Sequence, residues 1–254
     1  MSTLARSTLP ISLLALALSV GACTDGDDDG PTPVPNTGVF AGQDDAHLHR
    51  AAFAAVGGDV FYLGFVAAQY ASDASPTCPA VTTAGGVTTV TGGCVTDGGA
   101  HLAGRLILTN VEGVANAPAY DRSKPSIIEA QGWEDDGGDG LAAVDGTFTL
   151  TRTATGESRV ARLDSTALGI RAQLDVTYDC AADGMCTIAP GSQLQVDGIG
   201  ATAMAESFRF DEPLVGSITL AGADQMVIDV ATSTERCFRV AVAGAAPHDA
   251  CAVR

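Results

Sequence analysis

Lysine is almost missing from this chain. Of 254 residues only Lys124 carries an ammonium group, and Lys plus Arg number 13 against 30 Asp plus Glu. A formal charge of −17 leaves no basic footprint to displace counterions from phosphates, which excludes nucleic acid as a partner. Aromatic residues make up 5%, with Trp133 the only indole, so the core must rest on aliphatic side chains. The zinc-type spacings Cys-x-x-Cys and Cys-x-x-His are absent. There is no Gly-x-Ser-x-Gly elbow, and Lys124 sits between Ser123 and Pro125, which fits neither a Ser-x-x-Lys nor a phosphate-binding loop. These absences do not reach a Ser/His/Asp triad, whose members lie far apart in sequence.

Long apolar runs are scarce too, and the one that stands out is Ile11 to Ala22, behind a short start containing Arg6. A basic start, about a dozen apolar residues and small residues at the end describe a secretory signal peptide, residues 1–22, too short to span a bilayer as a helix. Val20-Gly21-Ala22-Cys23 resembles the lipobox of bacterial lipoproteins. That resemblance implies cleavage before Cys23, a diacylglycerol on its sulfur and further acylation of the new amino group, and several chains anchor stably where one is marginal. Thr24, standing where the family uses Asp for inner-membrane retention, points to the outer membrane.

Residues 23–41 are acidic and rich in Gly and Pro, a composition that cannot bury enough surface to offset its ordering entropy, and they read as a tether. Asp25, Asp27, Asp29 and Gly30 match the opening of a calcium loop, but the twelfth position is Asn36 where a bidentate Glu is needed. On this reading residues 1–38 contribute nothing to the folded domain, which runs over 42–254.

Six cysteines remain after Cys23, an even number that in an exported chain implies three disulfides. Cys78 and Cys94 bracket Gly85-Gly86, Cys180 and Cys186 bracket Asp183-Gly184, and Cys237 and Cys251 bracket Gly244. Each nearest-neighbour pair is therefore a staple across its own turn, contributing about 2–3 kcal/mol.

Residues 44–72 are the one helical region. Acids in the first turn, alanines and apolar residues at 48, 52, 55 and 56 predict a helix that Gly57-Gly58 ends. Asp59 then caps a second helix with Phe61, Phe65 and Ala68 on one face, or Val60 to Val66 forms a strand. After Cys94 the pattern is short runs of Val, Ile, Leu, Thr and Phe: 102–111, 126–133, 147–153, 159–163, 168–178, 193–199, 207–210, 214–220, 226–231 and 238–243. Asp-Gly turn signals stand at 97, 136, 139, 145, 183 and 197. The fold class is mainly β: an antiparallel meander, an open sheet or open barrel, with a short N-terminal helical segment. No fixed-period repeat supports a propeller or solenoid.

The stretch Thr91 to Arg105, preceded by Cys78-Pro79, resembles a segment of uncharacterised lipoproteins of social, predatory Gram-negative bacteria. The resemblance spans roughly residues 20–110 and implies architecture alone: lipobox, acidic tether, alanine-rich helix and β-sheet.

Candidate chemistry is sparse. The histidines are His47, His49, His101 and His248. His47 and His49 on a helix point about 200° apart and do not converge on a metal, whereas Asp45 and His49, four apart, are placed for a surface ion pair. Glu134 to Gly140 is an acidic loop in which Asp135, Asp136 and Asp139 are the candidate calcium ligands, although position 3 of the matched pattern is Gly137 and position 12 is Gly146. The sequence reading is an outer-membrane-anchored lipoprotein acting as a non-catalytic binding or structural envelope module. It requires no cofactor, is held to the membrane by its lipid, and leaves a protein or glycan partner unspecified. The alternative is a metal-assisted or carboxylate-based extracytoplasmic hydrolase. That alternative requires acidic residues to meet His101 or His248 in one pocket.

Overall fold

The computed structural model describes residues 35–72, 77–110, 126–136, 143–209, 215–233 and 237–252. Two helices come first, α1 (Asp45–Ala55) and α2 (Gly58–Ser72). The strands follow as β1 (Ala80–Ala84), β2 (Val87–Thr91), β3 (Cys94–Val95), β4 (His101–Asn110), β5 (Ser126–Asp135), β6 (Ala143–Thr153), β7 (Gly156–Ala167) and β8 (Ile170–Ala181). They continue as β9 (Met185–Ile188), β10 (Gln193–Val196), β11 (Gly200–Ala205), β12 (Ser207–Arg209), β13 (Val215–Ala221), β14 (Gln225–Asp229), β15 (Cys237–Val242) and β16 (His248–Cys251).

All sixteen strands join one antiparallel sheet, ordered β1-β2-β4-β5-β6-β7-β8-β10-β11-β13-β14-β15-β16. Strands β9 and β10 both lie along β8, interrupted at Pro190-Gly191, and β11 and β12 both lie along β13, interrupted at Glu206 with its φ of 84°. The sheet is thus the expected meander, with almost every strand paired to its neighbour in sequence. Strict alternation marks its core face: along β8, Ile170, Ala172, Leu174, Val176, Tyr178 and Cys180 are buried while the residues between them are exposed or half-buried. Beside it on β7, Ala161, Leu163, Ser165 and Ala167 are buried. Period-two burial of this kind belongs to a sheet packed on one side and wet on the other.

What the sheet packs on is α1. Asp44 caps this helix by accepting the His47 N–H at 2.9 Å, and alanines at 51, 52, 54 and 55 are fully buried. Their small side chains let strands approach closely, and α1 lies against β8, β10, β15 and β16. Gly57, at φ +78°, ends the helix, and the chain turns by 65° into α2, which packs on β2. The second helix is therefore the outcome of the two alternatives, not a strand over 60–66. Asp59 does not cap it but lies buried in its first turn. Among the described residues no single helix is long and apolar enough to cross a membrane.

Three disulfides form with the nearest-neighbour pairing: Cys78–Cys94, Cys180–Cys186 and Cys237–Cys251. Two sequence readings are corrected. The fold begins before residue 42: Gly38 donates to Ala201 at 2.8 Å, Phe40 is fully buried, and the Asp224 carboxylate accepts the N–H groups of Phe40 and Ala41. Apolar Phe40, invisible to an averaged composition, ties this segment down. Asp145-Gly146 is not a turn but lies inside β6. Gly146 is needed there because a Cβ would stand 2.1 Å from the Arg162 carbonyl oxygen across the β6–β7 pair. The turn signals at 183 and 197 do join strands, β8 to β9 and β10 to β11.

Candidate functional site

The most elaborate polar constellation is sealed. Arg50, 1% exposed, reaches from α1 with Nη1 and Nη2 donating to Asp59 Oδ2 on α2 at 3.1 and 3.0 Å, Nε donating to the Ile170 carbonyl at 3.1 Å, and Nη2 donating to Ser165 Oγ at 2.7 Å. Ser165 Oγ lies a further 3.0 Å from Asp59 Oδ2. Tyr178 extends the network by donating to the Ala55 carbonyl at 3.1 Å, its phenol pushed above the usual range by burial and by the Asp59 charge. A guanidinium fork satisfied by a carboxylate, a hydroxyl and a carbonyl is a clamp joining both helices to β7 and β8. With Asp59 at 0% exposure it touches no solute.

The histidines are dispersed. His49 does not pair with Asp45; it is 5% exposed, packed against Phe53 and Phe238 with ring centroids 6.3 and 5.1 Å away, and neither ring nitrogen has a partner among the described residues. Burial, reinforced by Arg50, holds its pKa below 6.5. The ion pair was misplaced because residue 49 faces the sheet while residue 47 faces out: His47 Nδ1 meets Asp44 Oδ1 at 2.7 Å, and Asp45 comes within 3.9 Å of His248 Nε2. His47 and His49 diverge as helix geometry requires.

The acidic stretch divides between the two faces of β5. Trp133 and Asp135 turn inward, and Glu134 and Asp136 turn outward. Asp135 Oδ2 accepts the Tyr70 hydroxyl at 3.1 Å, and Tyr70 packs on Trp133 at 5.7 Å. Burial and then the Asp135 charge push Tyr62 up to about 12 and raise Tyr70 further. On the outer face the Asp136 carboxylate accepts the backbone N–H of His101. His101, Glu134 and Asp136 line one cavity of about 390 Å³ beside Cys94. Asp135 and Asp136 thus point apart, and among the described residues no three His, Cys, Asp or Glu side chains assemble as a metal-ligand set. Asp139 and Cys23 lie outside the described residues.

Two surfaces carry no such chemistry and stand open. On α2, Phe61 and Phe65 are 72% and 49% exposed, one turn apart on the same face. At the start of the sheet, β1 pairs only with β2 among the described residues and has exposed side chains at four of its five positions. The Phe61/Phe65 face was drawn from helical spacing in the sequence; that it points to solvent was not, since an apolar stripe ordinarily signals core. No family model, curated protein or solved structure matches this chain in the comparisons made.

Proposed function

We propose that the chain is a non-catalytic binding module of the cell envelope, held at the outer membrane by a lipid on Cys23, whose partner covers the Phe61/Phe65 face of α2. The aromatic pair carries this reading. Large apolar side chains aligned on one helix face outside the core are the usual mark of a contact surface, and covering each would return about 1.5–3 kcal/mol. The three disulfides support an oxidising compartment. Replacing Phe61 with a photo-reactive phenylalanine in the producing cell tests the surface. A discrete adduct at position 61, absent when the same group replaces Arg162 on the outer sheet face, is expected; adducts equally frequent at both sites, or none at 61, overturn it. Fatty-acid labelling lost on Cys23→Ser tests the anchor.

One observation favours a second reading. His101, Glu134 and Asp136 share a pocket, the convergence a carboxylate-based hydrolase requires. Turnover of any member of a panel of chromogenic glycosides and esters, abolished by His101→Ala and by Glu134→Gln, would establish it in place of the module.

A further inference from the structure

We infer that β1 is a self-recognition edge, and that two copies of the chain join their sheets by pairing β1 with β1 antiparallel about a two-fold axis at Thr82. The two ends of the sheet are treated differently. Strand β16, the last, carries His248 and Asp249, follows Pro247, and has Asp249 paired to Arg239 at 3.1 Å. Charge and proline of this kind are how natural sheets block an edge. Strand β1 also follows a proline, Pro79, but carries no charge: Ala80-Val81-Thr82-Thr83-Ala84 is β-branched at three positions and exposed at all but the half-buried Val81. It lies in the longest charge-free stretch of the whole chain, Ala74 to Thr96.

The register identifies which groups are open. The β1–β2 hairpin turns at Gly85-Gly86, both at positive φ, and pairs Ala84 with Val87, Thr82 with Thr89 and Ala80 with Thr91. A two-residue turn makes its flanking pair hydrogen-bonded, and bonding alternates from there. Ala80, Thr82 and Ala84 therefore spend their backbone groups on β2, while the N–H and C=O of Val81 and Thr83 point away from it. Placing Thr82 opposite its own copy sets Val81 against Thr83 of the second chain and Thr83 against Val81, so all four outward N–H groups and their carbonyls are satisfied at once. Thr82 meets Thr82 in a non-hydrogen-bonded pair, where side chains come closest and Thr–Thr pairs are favourable.

The self-complementary register about Thr82 points to a second copy as the occupant, and charge points to this place on its surface. With −17 on each chain, apposing two copies is repulsive over most of the surface, and this uncharged hairpin is where the repulsion is least. The inference is independent of the Phe61/Phe65 reading, because it rests on the backbone groups of β1 and uses no group of α2.

The test uses the full chain carrying Cys23→Ser, which removes the lipid and the free thiol. Sedimentation equilibrium over a wide concentration range is expected to show the mass rising toward twice the monomer's. Thr82→Cys is expected to give a disulfide-linked dimer as the main species on mild oxidation. Val81→Pro removes an N–H that faces away from β2, so it is expected to keep the fold with a melting temperature lowered only by the lost packing of the half-buried Val81 side chain, abolish self-association and prevent crosslinking through Thr82→Cys. Should Val81→Pro fail to fold, Thr82→Lys places like charges opposite each other and is expected to give monomer. A monomeric parent at every concentration with no Thr82→Cys crosslink overturns the inference. So does a dimer that survives these variants but is lost on Phe61→Ser with Phe65→Ser, which would assign self-association to α2 instead.

Discussion

Removing the Asp59 carboxylate isolates the buried clamp. Asp59→Ala leaves the Arg50 guanidinium 1% exposed, with hydrogen bonds to Ser165 and Ile170 but no counter-charge. Breaking a buried pair from one side costs about 3–5 kcal/mol, because the remaining charge has been stripped of water without compensation. For a domain of this size each kcal/mol moves the melting temperature by about 2–4 °C, so a fall of roughly 6–20 °C is expected. The same loss should appear as a lower urea midpoint at unchanged slope. The pair as a whole is a different matter. Arg50→Met with Asp59→Leu removes both charges while keeping similar volume, and such exchanges are near neutral or stabilising. The double variant is therefore expected to recover most of what Asp59→Ala loses. A single variant costing less than about 1 kcal/mol, or a double variant as unstable as the single, would refute the account of a desolvated charge held by its partner.

Other perturbations follow the same physics. His49 resists protonation in the fold, since burial holds its pKa below 6.5; between the two values the unfolded chain binds a proton that the folded chain refuses. Its contribution is complete above pH 6.5 and declines as pH falls through that value, so melts at pH 5 and pH 7.5 should differ less in His49→Phe than in the parent. Gly104→Ala is expected to cost at least about 2 kcal/mol in a denaturant melt, because φ is +66° and a Cβ would lie 1.9 Å from the Gly132 carbonyl oxygen. Gly132→Ala, at φ +55° with nothing within 4 Å, should cost only about 1 kcal/mol in the same melt. Replacing Cys237 and Cys251 by Ala opens a loop with a separation of 14 residues and should cost about 3 kcal/mol, read from the same curves.

The meander was legible because its signals are local. Phe148-Thr149-Leu150-Thr151 and Leu174 to Tyr178 alternate in the sequence as they do in the sheet, and each cysteine pair brackets a turn of its own. What went unread was set by distant partners. Gly200–Ala205 carries glycine and alanine, without the β-branched run that marks a strand, yet becomes β11 because β10 and β13 supply ladders on both sides. Asp145-Gly146 carries a turn signal that pairing with β7 overrides. His49 seemed a surface residue because helical spacing cannot say which face α1 turns to the sheet. His101 joins Glu134 and Asp136 only through the β4–β5 register, which no spacing in the chain announces.

The position of α1 has a temporal consequence. This helix belongs to the first part of the described fold to be synthesised, yet the surfaces that bury it come from much later in the chain: Arg50 hydrogen-bonds Ile170, Tyr178 reaches Ala55, and α1 lies against β8, β10, β15 and β16. Neighbouring hairpins close as soon as their two strands exist, since each bridges only a short loop. The helix, whose Arg50 guanidinium tolerates burial only with its partners at Ser165 and Ile170 and whose His49 ring packs on Phe238, must wait until those strands have been made. Completion of the last hairpin is thus the moment at which the molecule locks, and a chain cut short before Cys237 keeps its hairpins and the clamp to β7 and β8 while leaving α1 without the cover of β15 and β16.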